Sequence, residues 1–174
     1  MVLEVEQHKF KEDWGMNLVN RGLSVSETVI AVIEFAATVP RDAAKILNVA
    51  DKLCKKFKIP EKRLWQIKVT GLAKSKQWAQ LRLLGEEKKS PPGGFAKFAK
   101  AGIKFGLGPS EVNRYIEMVA KADERFGLYL ANSQWRMAAE CCKTDPRKVV
   151  EVKLLCTNES DKAFCDEFLR GFST

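Results

Sequence analysis

The chain has 174 residues, of which 30 are Lys or Arg, 22 are Asp or Glu and 45% are hydrophobic, so its formal net charge is +8. A chain of this length and apolar content can bury roughly two thirds of its unfolded surface, which predicts about one ordered domain and excludes general disorder. The start Met-Val-Leu-Glu-Val-Glu is acidic, and Glu27 and Glu34 interrupt the longest apolar stretches, so we expect neither a signal peptide nor a membrane-spanning segment.

The first clear helix signals lie between residues 24 and 58. Ser24 stands three residues before Glu27, the spacing of a capping box, and Pro40 separates this helix from the next. The next helix is amphipathic, because apolar residues recur at steps of 4, 3 and 4 between Pro40 and Lys58, namely at Ile46, Ala50, Leu53 and Phe57.

Similar signals continue to the C-terminal end. Pro60 marks the start of a helix, a second helix follows over about Ser75 to Lys88, and Pro91-Pro92-Gly93-Gly94 predicts a loop. Capping residues and apolar spacing predict further helices near residues 95–105, 110–121, 123–131, 133–142, 145–156 and 159–171.

No segment alternates as a strand does, so the predicted fold class is all-α. About ten short helices can form either a compact bundle or a stack of helical pairs. A weak internal repeat favours the stack, because Leu72-Ala-Lys-Ser-Lys-Gln-Trp78 resembles Leu130-Ala-Asn-Ser-Gln-Trp135. We therefore predict an α-solenoid of stacked antiparallel helical pairs, as a single domain over residues 1–174.

The positive charge is concentrated in the middle of the chain. Between Arg41 and Lys104 there are 17 basic and 5 acidic residues, a net charge of +12, whereas the rest of the chain carries −4. Such a surplus favours an acidic partner, which can be a nucleic acid, an anionic membrane or an acidic protein surface. The alternative is that these lysines only solvate the exposed faces of helices.

The chemistry-bearing residues predict neither catalysis nor metal binding. His8, the only histidine, lies near an N-terminus that we expect to be frayed, and no phosphate-binding glycine motif is present. The cysteines are odd in number, lack C-x-x-C spacing and lie among apolar residues, so we expect reduced, buried thiols, as in the cytosol: Cys54, Cys141, Cys142, Cys156 and Cys165. We predict no catalytic residue, cofactor or metal ligand, and a protein that is not an enzyme.

A specific resemblance lies inside the basic window. The stretch from Lys55 to Ala73, Lys-Lys-Phe-Lys-Ile-Pro-Glu-Lys-Arg-Leu-Trp-Gln-Ile-Lys-Val-Thr-Gly-Leu-Ala, resembles the signature of the C-terminal domain family of vacuolar protein sorting-associated protein 16. Later matches follow in order up to about residue 157: Trp78, the Lys-Ser-Pro91 loop, Phe95, Phe98, Arg114-Tyr-Ile116, Lys121-Ala-Asp-Glu-Arg125, Leu128-Tyr-Leu-Ala131 and Trp135-Arg-Met-Ala-Ala139. The sequence departs from the family at Gln66, where a second aromatic is usual, and at the second proline of the loop.

The resemblance implies a part of a longer protein. Members of this family carry a long N-terminal part with a β-propeller, so the chain is similar to their C-terminal portion only. They are non-enzymatic subunits of the HOPS and CORVET tethering complexes, which connect endosomal, lysosomal or vacuolar membranes for SNARE-mediated vesicle fusion and protein transport. The implied location is cytoplasmic, peripheral on late endosomes, lysosomes or vacuoles, with indirect membrane association.

The resemblance also implies a partner and a docking site. The C-terminal helices of the family dock a SNARE chaperone, vacuolar protein sorting-associated protein 33, within complexes that contain further subunits, and no small-molecule substrate is implied. Arg63 matches the Lys-Arg dipeptide of the family, and the weaker candidates are Lys62, Lys55, Lys56 and Lys58. Trp65 and Trp78 are assigned to the solenoid core. The alternative function is a basic helical module that binds anionic lipid or nucleic acid through the same window; no specific nucleic-acid motif supports it.

Overall fold

The structure, a computed structural model, describes residues 2–19 and 22–172. These residues form eleven α-helices and no strand, which confirms the all-α fold class. The helices are α1 Val2–Trp14, α2 Val25–Ala36, α3 Ala43–Lys56, α4 Glu61–Lys74, α5 Trp78–Glu86, α6 Ala96–Phe105, α7 Pro109–Glu117, α8 Ala122–Ala131, α9 Trp135–Cys141, α10 Pro146–Leu155 and α11 Glu159–Arg170.

The chain divides into two compact units, the first ending at Gly93 and the second beginning at Gly94. The boundary lies within the predicted Pro-Pro-Gly-Gly loop. No helix in the described part of the chain is long and apolar enough to cross a bilayer. The arrangement of helical pairs as a solenoid and the single domain over residues 1–174 stay predictions.

The expectation of a frayed N-terminus is wrong, because residues 2–14 form α1. Phe10 is only 3% exposed and packs edge-to-face on Phe35, with ring centroids 5.7 Å apart. The buried residues of α1 are Gln7, which is polar, and Phe10, so the helix lacks the regular apolar spacing that predicts an amphipathic helix.

In the first unit, α2 packs on α3 and α4, and α5 packs on α4. The capping box that begins α2 is confirmed: Glu27 N donates to Ser24 Oγ at 3.3 Å, and Ser24 N donates to Glu27 Oε2 at 2.8 Å. The predicted stripe of α3 is also confirmed at Ile46, Ala50 and Leu53, which are buried. The fourth member of the stripe, at position 57, lies just beyond the helix and is half-buried.

The two tryptophans assigned to the core differ in their burial. Trp65 is 5% exposed and lies on the buried face of α4, as predicted. Trp78 is only half-buried, because it is the first residue of α5 and a helix terminus leaves part of its side chain open to solvent. The helix is also shorter than the predicted Ser75 to Lys88, since residues 75–77 form the turn that ends α4.

Three helix-ending turns share one backbone conformation. Lys58, Lys76 and Ser133 take positive φ angles of 49°, 56° and 53°. In each turn the backbone N–H of the next residue donates to the carbonyl oxygen five positions earlier in the chain. The N···O distance is 3.0 Å in the turn at Lys58 and 2.9 Å in the other two turns. This is the Schellman arrangement, which satisfies the last carbonyls of a helix and redirects the chain into the next helix.

The internal repeat extends to the side chains that follow two of these turns. Gln77 Nε2 donates to the carbonyl of Ile33 at 2.8 Å, which fastens the turn to α2. Gln134 Oε1 accepts from Asn113 Nδ2 at 3.2 Å, which fastens the equivalent turn to α7. The helices α5 and α9, each of which begins at a tryptophan, therefore follow matching turns.

In the second unit, α6 packs on α7 and α8, α9 packs on α8, and α10 and α11 pack on α9 and on each other. The largest fully buried side chain of this unit is Phe98, whose ring centroid lies 5.2 Å from that of Tyr115. All five cysteines of the chain are free thiols, and four of them are buried as predicted. Cys141 is the exception and is half-buried, so the expectation of full burial is wrong for that residue.

Candidate functional site

A groove of about 360 Å³ lies in the first unit, where the turn between α3 and α4 faces the first turn of α2. Two of the predicted partner-binding residues, Lys58 and Arg63, line this groove. We call it the basic groove, and its lining residues are Ser24, Val25, Ser26, Phe57, Lys58, Ile59, Pro60 and Arg63.

The α3–α4 turn places Lys58 in the groove. The left-handed backbone at this residue allows Ile59 N to donate to Cys54 O at 3.0 Å, so the chain reverses immediately after α3. Pro60 then precedes α4 with φ −57° and ψ 142°, and its carbonyl accepts from Arg63 N at 2.9 Å. Arg63 therefore stands in the first turn of α4.

Arg63 is held across the groove by a residue of α2. Its Nε donates to Ser26 Oγ at 3.1 Å, a contact between residues 37 positions apart in the chain. Arg63 is exposed, and within residues 2–19 and 22–172 its Nη1 and Nη2 atoms have no hydrogen-bonding partner. The end of the guanidinium is therefore oriented and available for a carboxylate.

The other three candidates lie outside the lining of the basic groove. Lys56 Nζ lies 2.5 Å from Glu6 Oε1 of α1, so an acid of the chain itself already balances its charge. Lys55 and Lys62 are exposed on the neighbouring turns of α3 and α4. The structure thus brings together Lys58 and Arg63 and separates them from the other three, while the roles of all five in partner binding stay predictions.

The electrostatics of the basic groove favour an acidic ligand. The N-terminus of α2 lies at its edge, and the partial positive charge of a helix N-terminus adds to the two cationic side chains. Hydrogen bonds from the Ser24 side chain and backbone lower the pKa of Glu27, so this carboxylate stays ionised and is occupied in the helix cap. Phe57 and Ile59 give the same groove an apolar part.

Sequence reasoning missed the role of Ser26. A serine in the first turn of a helix ordinarily indicates only helix capping, and nothing local connects it to Arg63. The contact requires α2 and α4 to pack side by side, a long-range arrangement that a single sequence does not specify. Among the described residues, no group of three or more His, Cys, Asp or Glu side chains is placed to hold a metal ion.

Comparison with known proteins places the chain in a family. A family model described as the C-terminal region of Vps16 matches residues 2–168. The Vacuolar protein sorting-associated protein 16 homolog of Dictyostelium discoideum is 27% identical over 119 residues, which cover 68% of this chain and 13% of that protein. Protein VACUOLELESS1 of Arabidopsis thaliana is 34% identical over 94 residues, covering 54% of this chain and 11% of that protein.

A third relative also belongs to the Vps16 homologues. The Vacuolar protein sorting-associated protein 16 homolog of Drosophila melanogaster is 29% identical over 77 residues, which cover 44% of this chain and 8% of that protein. The chain thus spans about an eighth or less of the length of these curated relatives. Because the family model covers nearly the whole chain, the chain belongs to the family of Vps16 C-terminal regions.

Proposed function

We propose that this chain is a non-enzymatic scaffold that serves in a vacuolar protein sorting complex, as the names of its relatives suggest. Membership of the Vps16 C-terminal family is the observation that carries this proposal. An all-helical chain with grooves between its helices suits protein docking, and the proposed location is peripheral, on endosomal or vacuolar membranes reached through other subunits.

The finer proposal concerns the complex and the partner. We infer that the chain acts in the HOPS or CORVET tethering complex and that its basic groove docks vacuolar protein sorting-associated protein 33. Support comes from the position of the groove, since five of its eight lining residues belong to the segment that carries the family resemblance, and from its combination of Lys58 and Arg63 with an apolar part. Apolar anchors and a desolvated arginine are typical of protein–protein interfaces.

Arg63 is the residue on which this docking depends most. A carboxylate of the partner can accept two hydrogen bonds from Nη1 and Nη2 while Nε keeps its bond to Ser26. Loss of such a desolvated pair costs about 2–4 kcal/mol, which corresponds to a roughly 30- to 1000-fold weaker complex.

The test is co-purification with the SNARE chaperone of the same organism at physiological salt. We expect Arg63→Glu to abolish binding and to leave the helical circular-dichroism spectrum unchanged. Arg41→Glu is the matched control, because Arg41 is also exposed in the first unit and does not line the groove. Binding retained by Arg63→Glu would contradict the docking site, and no binding by the unaltered chain would contradict the partner.

Salt dependence separates this proposal from binding to nucleic acid or anionic lipid. Binding that depends on counterion release weakens steeply between about 50 and 200 mM salt, whereas an interface with apolar anchors persists. We expect the complex with the SNARE chaperone to survive this change. Binding to duplex DNA or to phosphatidylserine vesicles at physiological salt, without binding to the chaperone, would favour the alternative.

A further inference from the structure

A second groove, of about 390 Å³, lies in the second unit between α6 and α8. It is a different surface from the basic groove and has no part in the function proposed above. We call it the α6–α8 groove, and its lining residues are Lys100, Ile103, Lys104, Asp123, Glu124, Gly127, Leu128 and Ala131.

The middle of this groove is apolar. Ile103 of α6 faces Leu128 of α8, and Gly127 and Ala131, one helical turn apart, are both exposed. A Cβ atom built on Gly127 would meet no atom within 4 Å. Glycine inside a helix destabilises it relative to alanine, and no close packing at this position offsets that cost within the described residues.

The charged side chains of the groove differ in whether they already form a salt bridge. Glu124 lies 3.5 Å from Lys100 Nζ across the groove, and Asp123 lies 2.6 Å from Lys148 Nζ, so both acids of the lining have a lysine partner. Lys104 differs from them. Its Nζ lies 5.4 Å from the ring centroid of Phe105, and it forms no salt bridge with any residue that the structure describes.

We propose that the α6–α8 groove binds an amphipathic helix of a protein partner, with an acidic side chain of that helix paired to Lys104. A groove between two packed helices fits a third helix at the usual interaxial distance of about 8–10 Å. The missing side chain at Gly127 lets the partner's backbone approach α8 closely, as small residues do at other helix crossings. The positive charge left at Lys104 selects an acidic partner helix over a basic one.

The experiment uses two fluorescein-labelled helical peptides of about 16 residues, long enough to span the groove. Both carry the same Ala and Leu face, and one carries Glu and the other Lys along one edge of that face. Fluorescence anisotropy with the full chain is expected to show about tenfold tighter binding of the Glu peptide than of the Lys peptide. Lys104→Glu is expected to reverse that preference.

Two further variants locate the binding site. Gly127→Leu fills the space above α8 and is expected to abolish binding of the Glu peptide, while the melting temperature of the chain is maintained. Lys143→Glu makes the same charge change on an exposed residue outside the lining and is expected to leave binding unchanged. If Gly127→Leu proves unstable, Gly127→Ala serves in its place, with weakened binding expected.

Four results would overturn the proposal. They are equal affinity for the two peptides, no binding of either peptide, unaltered binding by the folded Gly127 variants, and binding of phosphatidylserine vesicles, but not of the peptides, that is lost in the Gly127 variants. The last result would assign the α6–α8 groove to a membrane surface.

Discussion

Gln7 of α1 donates a hydrogen bond from Nε2 to Oγ1 of Thr28 of α2 at 2.9 Å, and both side chains are buried, with exposures of 5% and 1%. They are the two buried polar side chains of the described core. A buried polar group is costly unless it is paired, so this bond fixes how α1 lies against α2.

Separating this pair is expected to destabilise the chain. Thr28→Val removes the acceptor and leaves the Gln7 amide buried without it, which costs about 1–3 kcal/mol in the free energy of unfolding measured in urea. The double variant Gln7→Leu with Thr28→Val is expected to lose less than the sum of the single variants, because no polar group is left unpaired. Strict additivity of the two changes would contradict this account.

The turns with left-handed backbone predict stabilisation by glycine. Lys76→Gly and Ser133→Gly are each expected to raise the free energy of unfolding by about 1 kcal/mol, because a side chain in this backbone region costs 1–2 kcal/mol and glycine relieves that strain. Lys52→Gly, at an exposed position inside α3, is the control and is expected to lower it by about 1 kcal/mol. Lower melting temperatures of the two turn variants would contradict the assigned conformation.

Two helical glycines are expected to respond oppositely to alanine. At Gly71 a new Cβ would lie 3.0 Å from Ile33 Cγ2 and 3.1 Å from Ile33 Cβ, so Gly71→Ala forces α2 and α4 apart and costs about 1–3 kcal/mol. Gly127→Ala enters open space and is expected to gain about 0.5–1 kcal/mol from helix propensity. Thermal unfolding under one set of conditions tests whether Gly71→Ala lowers the melting temperature and Gly127→Ala raises it.

Buried thiols predict a loss of stability in alkaline solution. Burial, together with nearby thiols and carboxylates, raises the pKa of Cys142 to about 11 and that of Cys165 to about 12. In the unfolded chain these thiols ionise at about pH 8.5, whereas in the folded chain they keep their protons to higher pH. Their contribution to stability is therefore complete below about pH 8.5 and decreases as the pH rises towards 11–12.

Urea denaturation at several pH values checks this dependence. Between about pH 8.5 and 10.5 the free energy of unfolding is expected to fall, and replacing both cysteines by alanine is expected to make that fall shallower. In the native state at neutral pH, iodoacetamide is expected to modify the half-buried Cys141 before Cys142 or Cys165. An equal rate of modification at all three thiols would contradict their burial.

The local features of the helices could be predicted from the sequence. The capping box at Ser24, the stripe of α3 and the loop at Pro91 depend on residues a few positions apart, and the structure has all three. The helix α1 was missed because Gln7 occupies its buried face, and only its partner on α2 explains why a polar residue is tolerated there.

The candidate site also depends on contacts between distant residues, which could not be predicted from the sequence. The sequence pointed to Arg63 through the family dipeptide, yet it offered no reason to separate Lys58 from Lys56, which is paired with Glu6 fifty residues away. Ser26 was not predicted at all, because its contact with Arg63 exists only once α2 and α4 have packed. Contacts between distant residues are set by tertiary packing, which the period of a single helix does not encode.

The three matching turns after α3, α4 and α8 have a consequence for how this chain tolerates sequence change. Their shape depends on main-chain amides and carbonyls, and the residue at the left-handed position is a lysine in two of them and a serine in the third. Lysine and serine both adopt the left-handed backbone there, so a change of side chain at these corners can leave the directions of successive helices unchanged. A frame of this kind can persist in relatives that are only 27–34% identical to this chain over the aligned residues.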